Sequence, residues 1–167
     1  KVKTEWSHIS LVKATLKLFN EAFKNKQNEY FILLSDKCIP LYNPDTIYNN
    51  IKRIDNNLIM CFKQNEERIN NLQDKKFLTK DEFMKQHQWM CLKRETIKFL
   101  IENDFTQKFG EKFKYSDEHY FINVINKYNI SFINRQITYV NWNSKKRSKA
   151  HPQTYLSLTN ENIENIL

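Results

Sequence analysis

The stretch YFILLSDKCIPLY, residues 30–42, is an apolar run that ends abruptly in small, charged and turn-forming residues. Residues 31–34 are bulky and have no alternating polar partners, which predicts a short strand buried on both faces in the middle of an α/β sheet. Ser35 follows at the C-terminal end of this strand, where open α/β sheets bind their ligands, and Pro40 cannot continue the ladder. We therefore expect a functional site near Ser35, although a core strand with an ordinary polar turn has the same pattern.

The length and composition of the chain suit one globular domain over residues 1–167 and exclude some kinds of site, and the predicted alternation of helices and strands makes that domain α/β. Of its 167 residues, 40% are apolar and 14% aromatic, enough for a real core. Its single glycine, Gly110, cannot form a P-loop or a dinucleotide fingerprint. The net charge of +8 favours anionic partners, although an AT-rich genome would impose much of the same Lys and Asn bias. No apolar run approaches the ~20 residues that span a bilayer.

Hydrophobic patterns predict alternating helices and strands along the chain. Apolar residues at spacings of three and four predict a helix over residues 7–23 with Ser7 as its N-cap, and Ser116 is predicted to cap a helix over 117–128. Residues 64–80 are rich in charged and amide side chains, so we expect a long exposed loop or an insertion that faces the acceptor. The other expectations are a helix from Asn43, strands over 58–62, 88–92 and 137–142, a helix over 93–103, an irregular segment over 105–115, a basic loop over 143–149 and a helix from 160.

Cysteines and histidines give no sign of a metal site or a disulfide framework. Cys38, Cys61 and Cys91 are widely spaced and odd in number, so we expect reduced thiols. The four histidines show no paired spacing, which makes a zinc site improbable. The chain also lacks the Asp-x-Asp pair on which many enzymes hold a metal and the diphosphate of a nucleotide sugar. If this protein handles such a substrate, basic side chains must replace the metal.

The basic run after the last predicted strand supplies candidates for that role. Lys145, Lys146 and Arg147 could neutralise a diphosphate, and together with Ser35 they are our candidate donor-binding residues. A solvated basic loop would have the same composition, so this alternative stays open.

The segment 116–120, Ser-Asp-Glu-His-Tyr, places two carboxylates and an imidazole at the predicted start of a helix. Helix capping explains Ser116, and acidic residues suit the positive end of the helix dipole. Alternatively, Asp117 or Glu118 acts as a general base toward a hydroxyl group. Both interpretations can hold for different members of the segment.

Aromatic residues in or beside the predicted strands have two interpretations. Trp89, Tyr139 and Trp142 would usually pack in the core. Their flat faces could instead stack on sugar rings next to a polar turn.

Six segments together resemble the Core-2/I-branching glycosyltransferase family, most closely its plant-type members. The similarity extends over nearly the whole chain, and the segments occur in the family's order. They are W-S-x-I-S-x-V-x-A at 6–14, FILLSDKCIPLYN at 31–43, QW at 88–89, SDEHYF at 116–121, ITYVNW at 137–142 and HP at 151–152.

This resemblance implies a partial GT-A-like fold, an α/β domain with a mixed sheet flanked by helices. It further implies an inverting, β-linkage-forming transfer of N-acetylglucosamine, xylose or glucuronic acid from a UDP-sugar to a glycan or glycoprotein hydroxyl. It also implies that no metal cofactor is needed. By the same matching, Glu118 would remove the proton from the acceptor hydroxyl and Asp117 would orient the site. The acceptor pocket would contain Gln88, Trp89 and Trp142.

Some family features are missing from this sequence. Gln153 stands where mammalian members have a basic residue at the diphosphate, and we expect residues 1–167 to lack the N-terminal donor-binding strands and a C-terminal strand of the full domain. A non-catalytic glycan- or partner-binding remnant is therefore an alternative, and a basic nucleic-acid-binding domain is a weaker one. The resemblance points to the Golgi, whereas a viral origin would point to the cytoplasm or a viral factory.

Overall fold

A four-stranded mixed sheet forms the centre of the computed structural model, which describes residues 2–63 and 66–141. The strands lie in the order β1-β3-β2-β4, in which β1 and β2 pair antiparallel with β3 and β4 pairs parallel with β2. The predicted α/β class with a mixed sheet flanked by helices is confirmed. The strands are β1 (Tyr30–Ile32), β2 (Asn57–Lys63), β3 (Met84–Lys93) and β4 (Phe132–Ile133).

Helices cover the sheet and enclose an aromatic-rich core with it. The buried core includes Phe19 from the first helix, Phe31 and Met90 from the sheet, and Phe121 from the last helix of the described chain. The helices are α1 (Ile9–Phe23), α2 (Pro44–Ile54), α3 (Arg94–Glu102), α4 (Thr106–Phe109) and α5 (Tyr120–Lys127), with 3₁₀ segments at Glu66–Asn71 and Ser116–Glu118.

Helix α1 has the predicted apolar face but a different N-cap. His8 precedes the helix, and its Nδ1 accepts the Ser10 N–H at 3.2 Å. The expected cap, Ser7, has a left-handed backbone with φ 66° and is buried, so the prediction for Ser7 was wrong. At the other end, the Arg94 guanidinium donates to the Phe23 carbonyl at 2.8 Å and satisfies one of the carbonyls that a helix end leaves free.

Strand β1 is short and lies at an edge of the described sheet, so the prediction of a central strand buried on both faces was wrong. Phe31 is buried because its ring meets Phe19 and Phe23 of α1 at 6.3 and 6.4 Å. Ile32 points to the other face and is 38% exposed, and Leu34 beyond the strand is 52% exposed. Helix α1 covers one face of β1, which accounts for the burial of Phe31 alone.

Residues 66–80 are largely exposed, as predicted, but they begin with a 3₁₀ segment and apolar side chains anchor them to the core. The anchors are Ile69, Leu72, Phe77 and Leu78. The backbone of this segment also pairs with the end of α4, where Gln73 N–H donates to the Phe109 carbonyl at 3.0 Å. Gly110 follows with φ 79°, and a Cβ there would lie 2.6 Å from Cβ of Gln73. Glycine therefore permits this close approach.

Other boundaries differ from the predicted ones. β3 begins four residues before the predicted strand at 88, and residues 137–141 form no strand. The predicted irregular segment over 105–115 contains the single turn α4. The predicted basic loop and the predicted helix from 160 lie outside the described residues. The three cysteines are free thiols in the structure, and burial raises the pKa of Cys91 to about 12.

Candidate active site

The two candidate catalytic carboxylates lie in the 3₁₀ segment Ser116–Glu118, directly before α5. Ser116 is fully buried and its Oγ donates to the Phe113 carbonyl at 2.8 Å. It therefore does not cap the helix, and the predicted helix start at 117 was wrong. Because the segment is a tight turn, Asp117 and Glu118 point in different directions and have different surroundings.

Glu118 lies between two cationic side chains. Its Oε2 is 3.0 Å from Lys85 Nζ and 3.5 Å from Arg68 Nη1. The three side chains are 30%, 25% and 32% exposed, so they line a surface that a ligand can reach. Two positive charges against one negative charge leave this cluster with an excess of positive charge.

His119 lies behind this cluster, fully buried, with its ring stacked on Phe83 at 4.7 Å and edge-on to Phe113 at 5.7 Å. Nδ1 lies 2.8 Å from the Met84 carbonyl, and Nε2 lies 3.4 Å from Arg68 Nη1. Burial lowers the pKa of His119 to about 4, and the nearby Arg68 charge adds to this effect. The imidazole is therefore neutral at physiological pH.

Asp117 is half-buried, and its environment differs from that of Glu118. Burial raises the pKa of Asp117, and the Glu118 charge raises it further, while backbone hydrogen bonds and Lys85 oppose the change. Asp117 therefore takes up a proton more readily than an ordinary aspartate. The role of orienting the site remains a prediction for Asp117.

Tyr115, directly before the SDEHYF segment, contacts the first of the segments that carry the resemblance. Its N–H donates to the Ser7 carbonyl at 2.6 Å and to Ser7 Oγ at 2.9 Å, and its ring contacts the Trp6 ring at 5.6 Å. The Arg68 guanidinium lies 4.2 Å from the centre of the Tyr115 ring. Tyr115 has φ 60°, a left-handed conformation that is rare for a bulky residue. The aromatic ring thus supports the cation that contacts Glu118.

The candidate acceptor-binding residues Gln88 and Trp89 lie in an irregular part of β3. The pairing with β2 shifts near Met60, so that residues 87–89 of β3 lie opposite one residue of β2. Gln88 is exposed and Trp89 is half-buried. Lys85 precedes Gln88 by three residues in the same strand. One strand therefore carries both a partner of Glu118 and the predicted acceptor residues.

The other candidates do not join this cluster. Ser35 lies in a turn after β1, where its Oγ accepts the Lys37 N–H at 3.2 Å and contacts Cys38 Sγ at 3.4 Å. Its hydroxyl is engaged within its own turn, and donor binding by Ser35 stays a prediction. The remaining site candidates, Trp142, Lys145, Lys146 and Arg147, lie outside the described residues.

Arg68, Lys85 and His119 are members of the cluster that sequence reasoning did not assign. Arg68 comes from the segment that composition marks as a loop, and nothing in the local pattern of Lys85 distinguishes it from other lysines. His119 lies inside the SDEHYF segment, and this position was the one sequence signal that could have identified a member of the cluster. Within residues 2–63 and 66–141, no three histidine, cysteine, aspartate or glutamate side chains are grouped so that they could hold a metal ion.

The described helices include none with the length and apolar character needed to cross a membrane.

The chain is similar to a known protein family and to a plant glycosyltransferase. A family model described as Core-2/I-Branching enzyme matches residues 1–167. The glycosyltransferase BC10 of Oryza sativa subsp. japonica is 26% identical over 103 residues, which make up 62% of this chain and 26% of BC10. The aligned part thus spans about a quarter of that relative. Because the family model matches the chain from end to end, this protein belongs to the Core-2/I-branching enzyme family.

Proposed function

We propose that this protein is the catalytic region of an inverting, metal-independent glycosyltransferase with a GT-A-like fold. It would transfer N-acetylglucosamine, xylose or glucuronic acid from a UDP-sugar to a hydroxyl of a glycan or glycoprotein, forming a β-linkage. Family membership and the similarity to the glycosyltransferase BC10 support a glycosyltransferase. The observation that carries the proposal is the accessible Glu118 carboxylate between Lys85 and Arg68.

In the proposed reaction, Glu118 accepts the proton of the acceptor hydroxyl. The acceptor oxygen attacks the anomeric carbon, and the bond from that carbon to the diphosphate oxygen breaks on the opposite face. The electron pair leaves with UDP, so the configuration inverts and the charges balance. Basic side chains would neutralise the departing diphosphate in place of a metal. Lys145, Lys146 and Arg147 remain our candidates for this role.

The surroundings of Glu118 suit a base that acts on a bound hydroxyl. Lys85 and Arg68 restrict the rotamers of the carboxylate, and general base catalysis requires a fixed distance between the base and the proton. Gln88 and Trp89 on the same strand could bind the acceptor sugar beside it. A Trp face suits the apolar face of a pyranose ring.

The assignment of Glu118 as the base is tested with the variant Glu118→Gln. Release of UDP is measured with each of the three UDP-sugars as donor and a panel of glycans as acceptors. We expect a loss of roughly 10²- to 10⁴-fold in turnover, because the amide cannot accept the proton. Glu111→Gln is a matched control, since Glu111 also has two basic partners, Lys13 at 2.7 Å and His8 at 2.9 Å. If Glu118→Gln keeps its turnover and Asp117→Asn is inactive, the general base is Asp117 and not Glu118.

Calorimetric titration with UDP, with and without EDTA, tests the donor side of the proposal. Binding that EDTA leaves unchanged supports a metal-independent site. Binding that requires an added divalent cation contradicts it. Glycan binding without affinity for UDP would favour the non-catalytic alternative, and strongly salt-dependent binding to DNA or RNA would favour the nucleic-acid alternative.

A further inference from the structure

The Arg68 side chain reaches Glu118 from a different part of the chain and is fixed by contacts on three sides. Its guanidinium lies 3.5 Å from Glu118 Oε2, 3.4 Å from His119 Nε2 and 4.2 Å from the Tyr115 ring centre. About a third of this side chain is exposed. Fixing an arginine side chain costs rotamer entropy, and the contacts that hold Arg68 in place must offset this cost.

The two partners of His119 determine which of its nitrogens carries the proton. The Met84 carbonyl can only accept a hydrogen bond, so Nδ1 must donate to it. The Arg68 guanidinium can only donate, so Nε2 must accept. Only the neutral imidazole with its proton on Nδ1 satisfies both contacts. A protonated ring would present an N–H toward the guanidinium and lose this contact.

We propose that His119 is a positioning residue whose neutral imidazole, anchored on the Met84 carbonyl, holds the Arg68 guanidinium against Glu118. The proposal rests on the proposed role of Glu118 as the base. Arg68 in turn limits the orientations of the Glu118 carboxylate. The charged groups that face His119 are Arg68 from the 3₁₀ segment Glu66–Asn71, Lys85 from β3 and Glu118 from the adjacent turn.

The surroundings of His119 separate this role from simple core packing. Phe83 and Phe113 enclose the ring on apolar sides, so a phenylalanine could occupy the same space. The Met84 carbonyl also accepts from Asn123 Nδ2 at 2.7 Å, so it keeps a partner when the imidazole is removed. The change His119→Phe therefore removes chiefly the contact with Arg68.

The test combines His119→Phe, Arg68→Ala and the double variant in a double-mutant cycle. We expect His119→Phe to lower kcat about tenfold to a hundredfold with a smaller effect on KM, because the base loses its alignment. In the Arg68→Ala background, His119→Phe should lower kcat by less than threefold, because the effects of two residues that act through one contact are not additive. His119→Gln, which offers a neutral acceptor, should recover part of the activity. Equal losses in both backgrounds would overturn the proposal.

Nuclear magnetic resonance provides a readout that does not depend on transfer. Long-range ¹H–¹⁵N spectra should show His119 as the Nδ1–H tautomer at pH 7, and His119→Phe should broaden or shift the Arg68 Nε–H signal. An Nε2–H tautomer, or an Arg68 signal that is the same in both proteins, would overturn the inference whatever the activity. If these spectra agree with the inference but no UDP-sugar is consumed, the proposed function fails while the positioning contact stands.

Discussion

At the scale of single residues, the candidate site shows how neighbouring groups acquire different chemistry. Glu118 faces Lys85 and Arg68, whereas Asp117 beside it is half-buried and has a raised pKa. His119 is buried between aromatic rings and stays neutral. Three consecutive titratable side chains thus differ because the 3₁₀ turn and the residue that ends it direct each side chain to a different environment.

His119 should make the stability of the protein depend on pH. Between pH 6.5 and about 4, the unfolded chain binds a proton at this residue and the folded protein does not. The free energy of unfolding therefore falls as the pH decreases through this window and rises as the pH increases. The difference between 6.5 and about 4 corresponds to roughly 3 kcal/mol at most.

Denaturant unfolding of the wild type and of His119→Phe between pH 7 and pH 5 measures this effect. The stability difference between the two proteins should shift in favour of the variant as the pH decreases. The other histidines are present in both proteins, so their contributions cancel. A difference that stays constant over this range would show that His119 is protonated as easily in the folded state as in the unfolded state.

At the scale of secondary structure elements, the candidate site lies where β3 meets the turn before α5. β3 carries Lys85 and the irregular stretch with Gln88 and Trp89, and α5 follows the turn that contains Glu118. Asn123 of α5 fixes these two elements relative to each other. Its Oδ1 accepts the Met84 N–H at 2.9 Å, and its Nδ2 donates to the Met84 carbonyl at 2.7 Å and the His119 carbonyl at 2.6 Å.

Replacement of Asn123 by Ala should destabilise the protein strongly. The Met84 N–H would lose its amide acceptor in a part-buried position, and each buried polar group left without a partner costs about 1–3 kcal/mol. We expect a loss of roughly 2–4 kcal/mol in the free energy of unfolding, measured in urea. Asn126→Ala on the same helix, at a half-buried position, is the control and should change stability by less than about 1 kcal/mol. Similar losses in both variants would contradict this role for Asn123.

The elements that the sequence predicts well are those with a local signal. The spacing of Ile9, Val12 and Phe19 identifies α1, and Asn43 before Pro44 marks the start of α2, where its side chain accepts the Thr46 N–H. Placement in the sheet depends on which strands pair, and no local pattern contains that information. For this reason β1 was expected at the centre and is found at an edge.

The members of the candidate site were likewise predictable only where the local sequence identifies them. The SDEHYF segment directs attention to Asp117 and Glu118 through their own sequence context. Arg68 lies 50 residues away in the chain and reaches Glu118 only because the apolar residues of its segment are buried in the core. Its role depends on tertiary packing, which local composition does not reveal.

At the scale of the whole molecule, apolar side chains are exposed in and after β1. The strand pairs with β3 on one side and lies at the edge of the sheet in the described part of the chain. Edge strands with exposed apolar residues are prone to pair with other chains. The exposed residues of this surface are Ile32, Leu34, Ile39, Leu41 and Tyr42.

We therefore expect the 167-residue chain to self-associate with increasing concentration, and Leu34→Lys to weaken this association. A charged side chain beside an edge strand opposes pairing with a second copy. Sedimentation velocity over a range of concentrations measures the effect. Leu18→Lys is the matched control, because Leu18 is 63% exposed but lies on α1. Equal effects of the two substitutions would show that general surface charge, rather than the β1 edge, controls association.

The left-handed backbone of Tyr115 limits how far this protein can be made more stable without loss of the site. A search for stabilising substitutions would select this position, because glycine adopts φ 60° without the steric cost that a bulky residue bears. Glycine would also remove the ring beneath Arg68 and the contact with Trp6. A relaxed backbone and an ordered candidate site therefore favour different residues at this position. In directed evolution, we expect Tyr115 to change under selection for heat resistance alone and to persist under selection for turnover.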